Sequence, residues 1–203
     1  MTIRKIVWRT LVVAGLFCLL EWGPLDAAAA EVHDNLLRES IQDVASRDAP
    51  SAYAAVLDFR GHSLTSRFHV IERSSMQIVK SFVVAHGLGS EGKRDDGYAE
   101  VFSNVNGSLA SSLGLYRARE TYFSKKDGHG LSLRLDGLSS SNSNARKRFV
   151  VIHANWYMEP EAMRKMGRPG RSNGCMVFSA RDRDEVIRLL KDGAFILAIY
   201  SRP

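Results

Sequence analysis

Arg148-Phe149-Val150-Val151-Ile152-His153 is the strongest strand signal in the sequence. A short apolar run rich in β-branched residues is typical of a buried central strand. Turn-forming Gly, Asn and Ser separate it from other segments with extended character. These segments are predicted to be strands, at residues 53–59, 67–72, 76–85, 113–117, 131–135 and 194–200. The pattern therefore predicts one mainly β domain, built as a sandwich or barrel.

Two or three peripheral helices are expected around these strands. Apolar residues recur at helical spacing over residues 35–46, where Asp34 could cap the first turn and Pro50 stops the chain from continuing as a helix. Helical patterns also cover residues 159–166 and 182–191. Residues 87–114 have no clear periodicity, and a loop of that length in a small domain is usually functional or disordered.

The first thirty residues have the pattern of a secretory signal peptide. Basic residues near the start precede an apolar run at 10–20, which is too short to span a bilayer. Ala28 and Ala30 form a small-x-small cleavage site, so the mature chain is expected to begin at Glu31. We therefore predict a signal peptide at 1–30, an N-terminal lead-in helix at 31–50 and a catalytic domain at 51–203, in a protein exported to the periplasm or cell envelope. An uncleaved N-terminal anchor is the alternative.

Composition excludes some classes of function. The 203-residue chain carries a net charge of +6, but its Lys and Arg residues are scattered and do not alternate with aromatic residues. A nucleic-acid partner is therefore not indicated. A mild positive charge suits an anionic polymer.

Cysteine usage points to chemistry. Cys18 would leave with the signal peptide, so the mature protein keeps one cysteine, Cys175. Exported proteins usually carry cysteines in pairs because their compartment oxidises thiols. An unpaired thiol in such a protein is either reactive or paired between chains.

The surroundings of Cys175 suit a nucleophile. It follows Gly174 in a turn rich in Gly, Pro and Ser, where a substrate can approach the backbone and amide groups can face an oxyanion. A thiol with a pKa of about 8.5 needs a base or an ion-pair partner to become reactive. His153, at the end of the predicted buried strand, is the best candidate for that base.

These residues resemble the signature of the L,D-transpeptidases, which have YkuD-like catalytic domains. The signature comprises His153 followed by Ser172-Asn173-Gly174-Cys175. The likeness extends to the murein L,D-transpeptidase branch through the segments at 102–104, 111–116, 131–138, 144–146 and 167–175. One position departs from the commoner pattern, because Asn173 stands where that pattern has a histidine.

The resemblance implies an acyl transfer on peptidoglycan stem peptides. The Cys175 thiolate would attack the carbonyl before a terminal D-alanine, and His153, oriented by the Ala154 carbonyl, would shuttle the proton. Amides at Gly174 and Cys175 would form the oxyanion hole, supported by Ser172. An amine acceptor would give a 3→3 cross-link, whereas water would make the enzyme an L,D-carboxypeptidase. Neither a metal nor an organic cofactor is implied, and a non-catalytic wall-binding module is the third possibility.

Other residues receive weaker assignments. Arg168, Arg171 and His86 are candidates for substrate binding, with a surface position or a structural hydrogen bond as the alternatives. His129, between two glycines, is expected to be a turn residue, and Trp156 is expected to lie in the core. A zinc peptidase is not indicated because the sequence lacks H-E-x-x-H and any paired histidine spacing.

Overall fold

The computed structural model describes the backbone of residues 24–201 and the side chains of residues 34–201. Within this part of the chain there are eight strands: β1 Tyr53–Asp58, β2 Ser66–Glu72, β3 Gln77–Val83, β4 Gly114–Phe123, β5 Leu131–Gly137, β6 Val151–Ala154, β7 Met176–Phe178 and β8 Phe195–Ile199. It also contains three helices: α1 Pro24–Ser46, α2 Pro160–Met166 and α3 Ala180–Leu190. Short 3₁₀ turns lie at Leu88–Ser90 and Trp156–Met158.

The strands form a single sheet in the order β3-β2-β1-β8-β4-β5-β6-β7. The pairs β1·β8 and β6·β7 are parallel, and the other neighbours are antiparallel. A bridge between Ala85, just beyond β3, and Val177 of β7 brings the two ends of this order together. The sheet is therefore a nearly closed barrel, and the prediction of a mainly β fold with peripheral helices is confirmed.

Two apolar clusters hold the helices against the sheet. The larger fills the barrel with side chains such as Phe68, Leu133 and Phe178, and α3 covers it with Val186 and Leu190. Each fully buried side chain of this size stabilises the fold by about 1.5–3 kcal/mol. The smaller cluster packs α1 against the outer face of the sheet, with Val44, Ala54, Val56 and Ile71 at its centre.

Helix α1 begins earlier than the sequence pattern predicts. It starts at Pro24 and runs through the alanines at 27–30, which have the highest helix propensity. Asp34 therefore lies inside the helix and does not cap it, so that prediction is wrong. Residues 1–23 lie outside the described part of the chain, and cleavage after Ala30 stays a prediction. No helix among the described residues is long and apolar enough to cross a membrane.

The predicted strand 148–153 is shifted. Strand β6 begins only at Val151, while Phe149 takes a left-handed φ of 57° and is 72% exposed. The reversal arises because the Phe149 N–H bonds the Arg146 carbonyl and the Val150 N–H bonds the Ala145 carbonyl, which closes a turn just before the strand. The apolar run indicated the strand correctly, but not its first residue.

Candidate active site

The parallel pairing of β6 and β7 brings His153 and Cys175 to one groove. His153 pairs with Val177, and Cys175 directly precedes the first residue of β7. The groove has a volume of about 330 Å³, and its lining includes Lys126, His129, His153, Tyr157, Arg171 and Cys175. Segments that are distant in the sequence therefore supply one site.

His153 is arranged to act as a base. Its Nδ1 lies 2.7 Å from the Ala154 carbonyl oxygen, so Nδ1 carries the proton and donates it, and Nε2 is left as the basic nitrogen. The side chain is buried, and this desolvation lowers the pKa of His153 to about 4, with the cations of Lys126 and Arg183 acting in the same direction. The imidazole is consequently neutral at neutral pH.

Cys175 is partly exposed to the groove and bonded to backbone. Its Sγ donates to the Phe149 carbonyl oxygen at 3.4 Å, and among the described residues it makes no hydrogen bond to His153. Burial raises the pKa of the Cys175 thiol, while the Val151 N–H and the cations of Lys126 and Arg148 oppose that shift. Both shifts favour the neutral forms of the thiol and the imidazole.

The turn before β7 is held by its own side chains. Ser172 Oγ donates to the Cys175 carbonyl at 2.8 Å and accepts the Gly174 N–H at 3.1 Å. Gly174 has a φ of 109°, and a Cβ there would lie 2.6 Å from the Ala110 carbonyl oxygen, so only glycine fits. The exposed Asn173 lines the groove. The Gly174 amide is engaged by Ser172, and it would have to exchange this bond before it could donate to an oxyanion.

Arg148 fastens residues 103–112 beside this turn. Its guanidinium donates to the carbonyl oxygens of Ser103 and Ala110, both at 2.6 Å, and to the hydroxyls of Ser108 and Ser112. Part of the segment that lacks periodicity is therefore held beside the Cys175 turn, although none of its residues lines the groove. Nothing in the sequence distinguished Arg148 from other scattered arginines.

His86 lies in the interior and does not contact the groove. It has no exposed surface, and its ring bridges the Arg67 guanidinium at 2.8 Å and the Glu91 carboxylate at 2.9 Å. Burial, followed by the charges of Arg67 and Arg171, lowers the pKa of His86 to about 2. The substrate-binding assignment of His86 is therefore corrected to a structural one, because a side chain enclosed by charged partners cannot meet a ligand.

The two arginines of the nucleophile turn differ in position. Arg171 lines the groove, with its Nε against the Glu91 carboxylate and its Nη1 donating to the Pro169 carbonyl at 2.6 Å. Arg168 is absent from the groove lining and forms an ion pair with Asp95 at the surface. Of the two, only Arg171 is placed to meet a substrate.

The loop between β4 and β5 supplies residues that the sequence did not indicate. The ring of His129 stacks on that of His153, with centroids 3.6 Å apart and planes 16° apart. Lys126 also lines the groove, and within residues 34–201 its ammonium has no hydrogen bond or ion pair. The sequence signal for His129 was only its position between two glycines, which indicated a turn and not a ring contact.

Trp156 was expected in the core, and this prediction is wrong. The side chain is 66% exposed, because the 3₁₀ turn after β6 directs it outward while its neighbour Tyr157 lines the groove. The two rings meet edge to face at 6.0 Å.

No group of three or more His, Cys, Asp or Glu side chains that could hold a metal ion occurs in the described part of the chain.

A comparison with protein families matches most of the chain. The family model described as the L,D-transpeptidase catalytic domain matches residues 28–200. No curated protein matches the sequence.

Solved structures with a related arrangement are distant in sequence. An L,D-transpeptidase from Mycobacterium smegmatis has 11% identity and a TM-score of 0.45, covering 74% of this chain and 59% of that chain. An L,D-transpeptidase from Stackebrandtia nassauensis has 16% identity and a TM-score of 0.43, with 77% and 60% covered. The helical cell shape determining protein Pgp2 from Campylobacter jejuni has 10% identity and a TM-score of 0.47, with 82% and 55% covered. The present chain thus spans 55–60% of the length of these proteins.

Proposed function

The chain belongs to the L,D-transpeptidase catalytic-domain family, and from that membership we propose that it is a cysteine-dependent L,D-transpeptidase acting on peptidoglycan stem peptides. The observation that carries the proposal is the position of His153 and Cys175 on one groove, with His153 on β6 and Cys175 directly before the parallel strand β7. Acyl transfer needs a nucleophile and a base that can face the same substrate carbonyl.

The first half of the reaction forms an acyl-enzyme. The Cys175 thiol leaves the Phe149 carbonyl, gives its proton to His153 Nε2, and the sulfur attacks the carbonyl carbon between an L-centre of the stem peptide and its terminal D-alanine. The tetrahedral intermediate collapses by breaking the C–N bond, and the proton on His153 passes to the leaving amine. D-alanine departs, and a thioester on Cys175 remains. The neutral forms of His153 and Cys175 favour proton transfer during the attack, because His153 is unprotonated when the thiol gives up its proton.

The second half transfers the acyl group. The amine of a neighbouring stem peptide attacks the thioester while His153 removes its proton, and the thiol is restored as a 3→3 cross-link forms. Backbone amides at the Cys175 turn stabilise the oxyanion in both halves, and each such donor is worth about 3 kcal/mol in comparable sites. The Cys175 amide, with Gly174 once its bond to Ser172 is exchanged, supplies this stabilisation.

The groove also suits the charge of the substrate. A stem peptide ends in the carboxylate of D-alanine, one residue from the bond that breaks. Lys126 places a positive charge on the lining of the groove, and Arg171, whose Nε is paired with Glu91, adds a guanidinium there. A carboxylate at this position would be held by hydrogen bonds to cations, which are roughly twice as strong as neutral ones. This role extends to Lys126 the substrate-binding function that the sequence indicated for Arg171.

The proposed location follows from the proposed substrate. Peptidoglycan lies outside the cytoplasm, and export through the signal peptide at 1–30 would deliver the enzyme to it. Edman sequencing of the protein recovered from the envelope fraction tests this directly. A first residue of Glu31 supports cleavage after Ala30, and an intact Met1 start contradicts it.

Incubation of the purified protein with disaccharide tetrapeptides tests the function. The expected products by liquid chromatography and mass spectrometry are free D-alanine and a cross-linked dimer. Tripeptide without dimer would make the enzyme a carboxypeptidase, and unchanged substrate would contradict the enzymatic proposal. Cys175→Ala is the matched control. Full turnover by that variant would show that the nucleophile is assigned incorrectly.

A further inference from the structure

Two imidazole rings meet in the groove, although the proposed reaction uses only that of His153 as a base. The ring of His129 lies flat on that of His153, at a centroid distance of 3.6 Å and an interplanar angle of 16°. The Ala154 carbonyl holds the same His153 ring at its edge through Nδ1. One contact in the plane of a ring and one on its face together oppose rotation about the Cβ–Cγ bond. His153 is therefore held in a single orientation that leaves Nε2 free.

The backbone on both sides shapes His129 for this contact. Its neighbours Gly128 and Gly130 both have positive φ, 76° and 58°, and a Cβ at Gly130 would lie 3.1 Å from the Arg183 guanidinium. The His129 carbonyl accepts hydrogen bonds from Arg183 Nη1 at 2.6 Å and from the Ala154 N–H at 3.4 Å. The loop is thus tied to α3 and to the residue whose own carbonyl orients His153. Such anchoring makes the stack a fixed feature and not a chance contact of a surface loop.

Burial, together with nearby positive charges, favours the neutral form of both rings. The groups facing His153 are His129 and Lys126 from the β4–β5 loop, Arg183 from α3, and Cys175 and Tyr157 from the other walls of the groove. Burial lowers the pKa of His129 as well, and Lys126 adds to the effect. His129 itself also acts to lower the pKa of His153.

We propose that His129 is a positioning residue for His153, whose ring face holds the base in its working orientation. The inference rests on the proposed function, because it needs His153 to be the base for Cys175. It adds a second histidine, from the β4–β5 loop, which acts through His153 and exchanges no proton itself.

Acetylation of Cys175 by p-nitrophenyl acetate tests the inference without any wall fragment. The Cys175 sulfur displaces nitrophenolate and forms a thioester, so the rate is read from released nitrophenolate and the site from the mass of the Cys175 peptide, with Cys175→Ala as the blank. Rates are measured from pH 4 to pH 8 for the wild type, His129→Ala, His129→Phe, His129→Leu and His153→Ala. Circular dichroism and thermal unfolding show which variants fold.

The expected results distinguish the effect of an aromatic ring face from the effect of side-chain volume. His129→Ala should lower the rate at pH 7 by about tenfold, which is a part of the ~10²–10⁴ that general-base catalysis supplies. It should also move the acidic limb of the profile to higher pH, because solvent then reaches His153. His129→Phe should stay within about threefold of wild type, since it keeps an aromatic face. His129→Leu should behave like His129→Ala, and it decides the question if the alanine variant does not fold.

Two results overturn the inference, and a third distinguishes it from failure of the proposed function. A wild-type rate and pH limb in folded His129→Ala or His129→Leu would show that the stack has no catalytic role. A loss in His129→Phe as large as in His129→Leu would show that the aromatic face is not what matters. If His153→Ala acetylates Cys175 as fast as wild type, the base assignment itself fails. A purely structural role would lower the unfolding temperature and leave the acidic limb in place.

Discussion

The Phe149 carbonyl oxygen accepts the hydrogen bond of the Cys175 thiol at 3.4 Å, so the backbone holds the proposed nucleophile in place. Phe149 reaches this position through a left-handed backbone, with φ 57°. That conformation costs about 1–2 kcal/mol for a residue with a Cβ. Such strain persists where the surrounding structure requires it, and here the turn that closes before β6 aims the carbonyl at the sulfur.

Cys175 should react as a protonated thiol in the absence of substrate. Burial raises its pKa, so the thiolate fraction at pH 7 is smaller than for an ordinary cysteine. Alkylation by iodoacetamide, followed on the Cys175 peptide by mass spectrometry, should show a midpoint above pH 8.5. A midpoint below pH 7 would instead indicate an ion pair already formed with His153.

Acid should destabilise the fold because two buried histidines resist protonation. The pKa is lowered to about 4 for His153 and to about 2 for His86, whereas in the unfolded chain both take up a proton near pH 6.5. Below pH 6.5 the unfolded state therefore binds more protons, and stability falls with decreasing pH. The loss continues to about pH 4 for His153 and further for His86, at up to about 1.4 kcal/mol per pH unit for each group.

Urea unfolding between pH 7 and pH 4 measures this loss, and His86→Gln is the informative variant. Removing His86 should make the free energy of unfolding depend less steeply on pH, even though the variant is less stable at pH 7. An unchanged slope in His86→Gln would contradict the assignment of His86 as a buried neutral group.

Lys126→Ala should weaken substrate binding and slow the nucleophile. The ammonium has no ion-pair partner within residues 34–201 and lines the groove, so its loss should raise KM about fivefold, as expected for about 1 kcal/mol from a partly exposed charge pair. Because Lys126 also lowers the pKa of the Cys175 thiol, that pKa should rise in the variant. Steady-state turnover of tetrapeptide and iodoacetamide titration measure the two effects.

Lys125→Ala is the control for charge, since the exposed Lys125 neighbours Lys126 but is absent from the groove lining. Equal changes in both variants would mean that only the overall charge of the surface matters.

Gly174→Ala should inactivate and destabilise the protein. The new Cβ would meet the Ala110 carbonyl at 2.6 Å in addition to the strain of φ 109°. We expect a loss of about 3 kcal/mol in the free energy of unfolding. Gly107→Ala measures the cost of the backbone strain alone, because Gly107 has φ 80° and nothing lies within 4 Å of its Cβ position. It should cost only about 1–2 kcal/mol and leave turnover intact. Equal costs would contradict the steric argument.

Arg148→Met should loosen residues 103–112, which lie beside the Cys175 turn. Its guanidinium donates to four groups within residues 103–112, and losing them should cost about 3 kcal/mol. Hydrogen exchange should then quicken over 103–112 more than over the strands of the barrel. Arg188→Met, on the exposed face of α3, should leave exchange in this segment unchanged. Unaltered hydrogen exchange in Arg148→Met would show that backbone contacts alone hold residues 103–112 in place.

Local pattern determined several features of the fold. The β-branched runs predicted most of the strands. The family resemblance selected His153 and Cys175, which the structure places on one groove, while their roles as base and nucleophile stay predictions. Helix α3 followed from its apolar face. These features depend on neighbours within about ten residues, and periodicity and local motifs report such neighbours.

The tertiary structure alone decided the surroundings of that pair. Three of its features join segments far apart in the sequence: the ring of His129 on His153, the hydrogen bonds from Arg148 to residues 103–112, and the burial of His86 against Arg67. The physical reason is that a hydrogen bond or ring contact requires two chain segments to meet, and the barrel closure brings them together. A residue's own flanking sequence carries no record of the partner that it meets in this way.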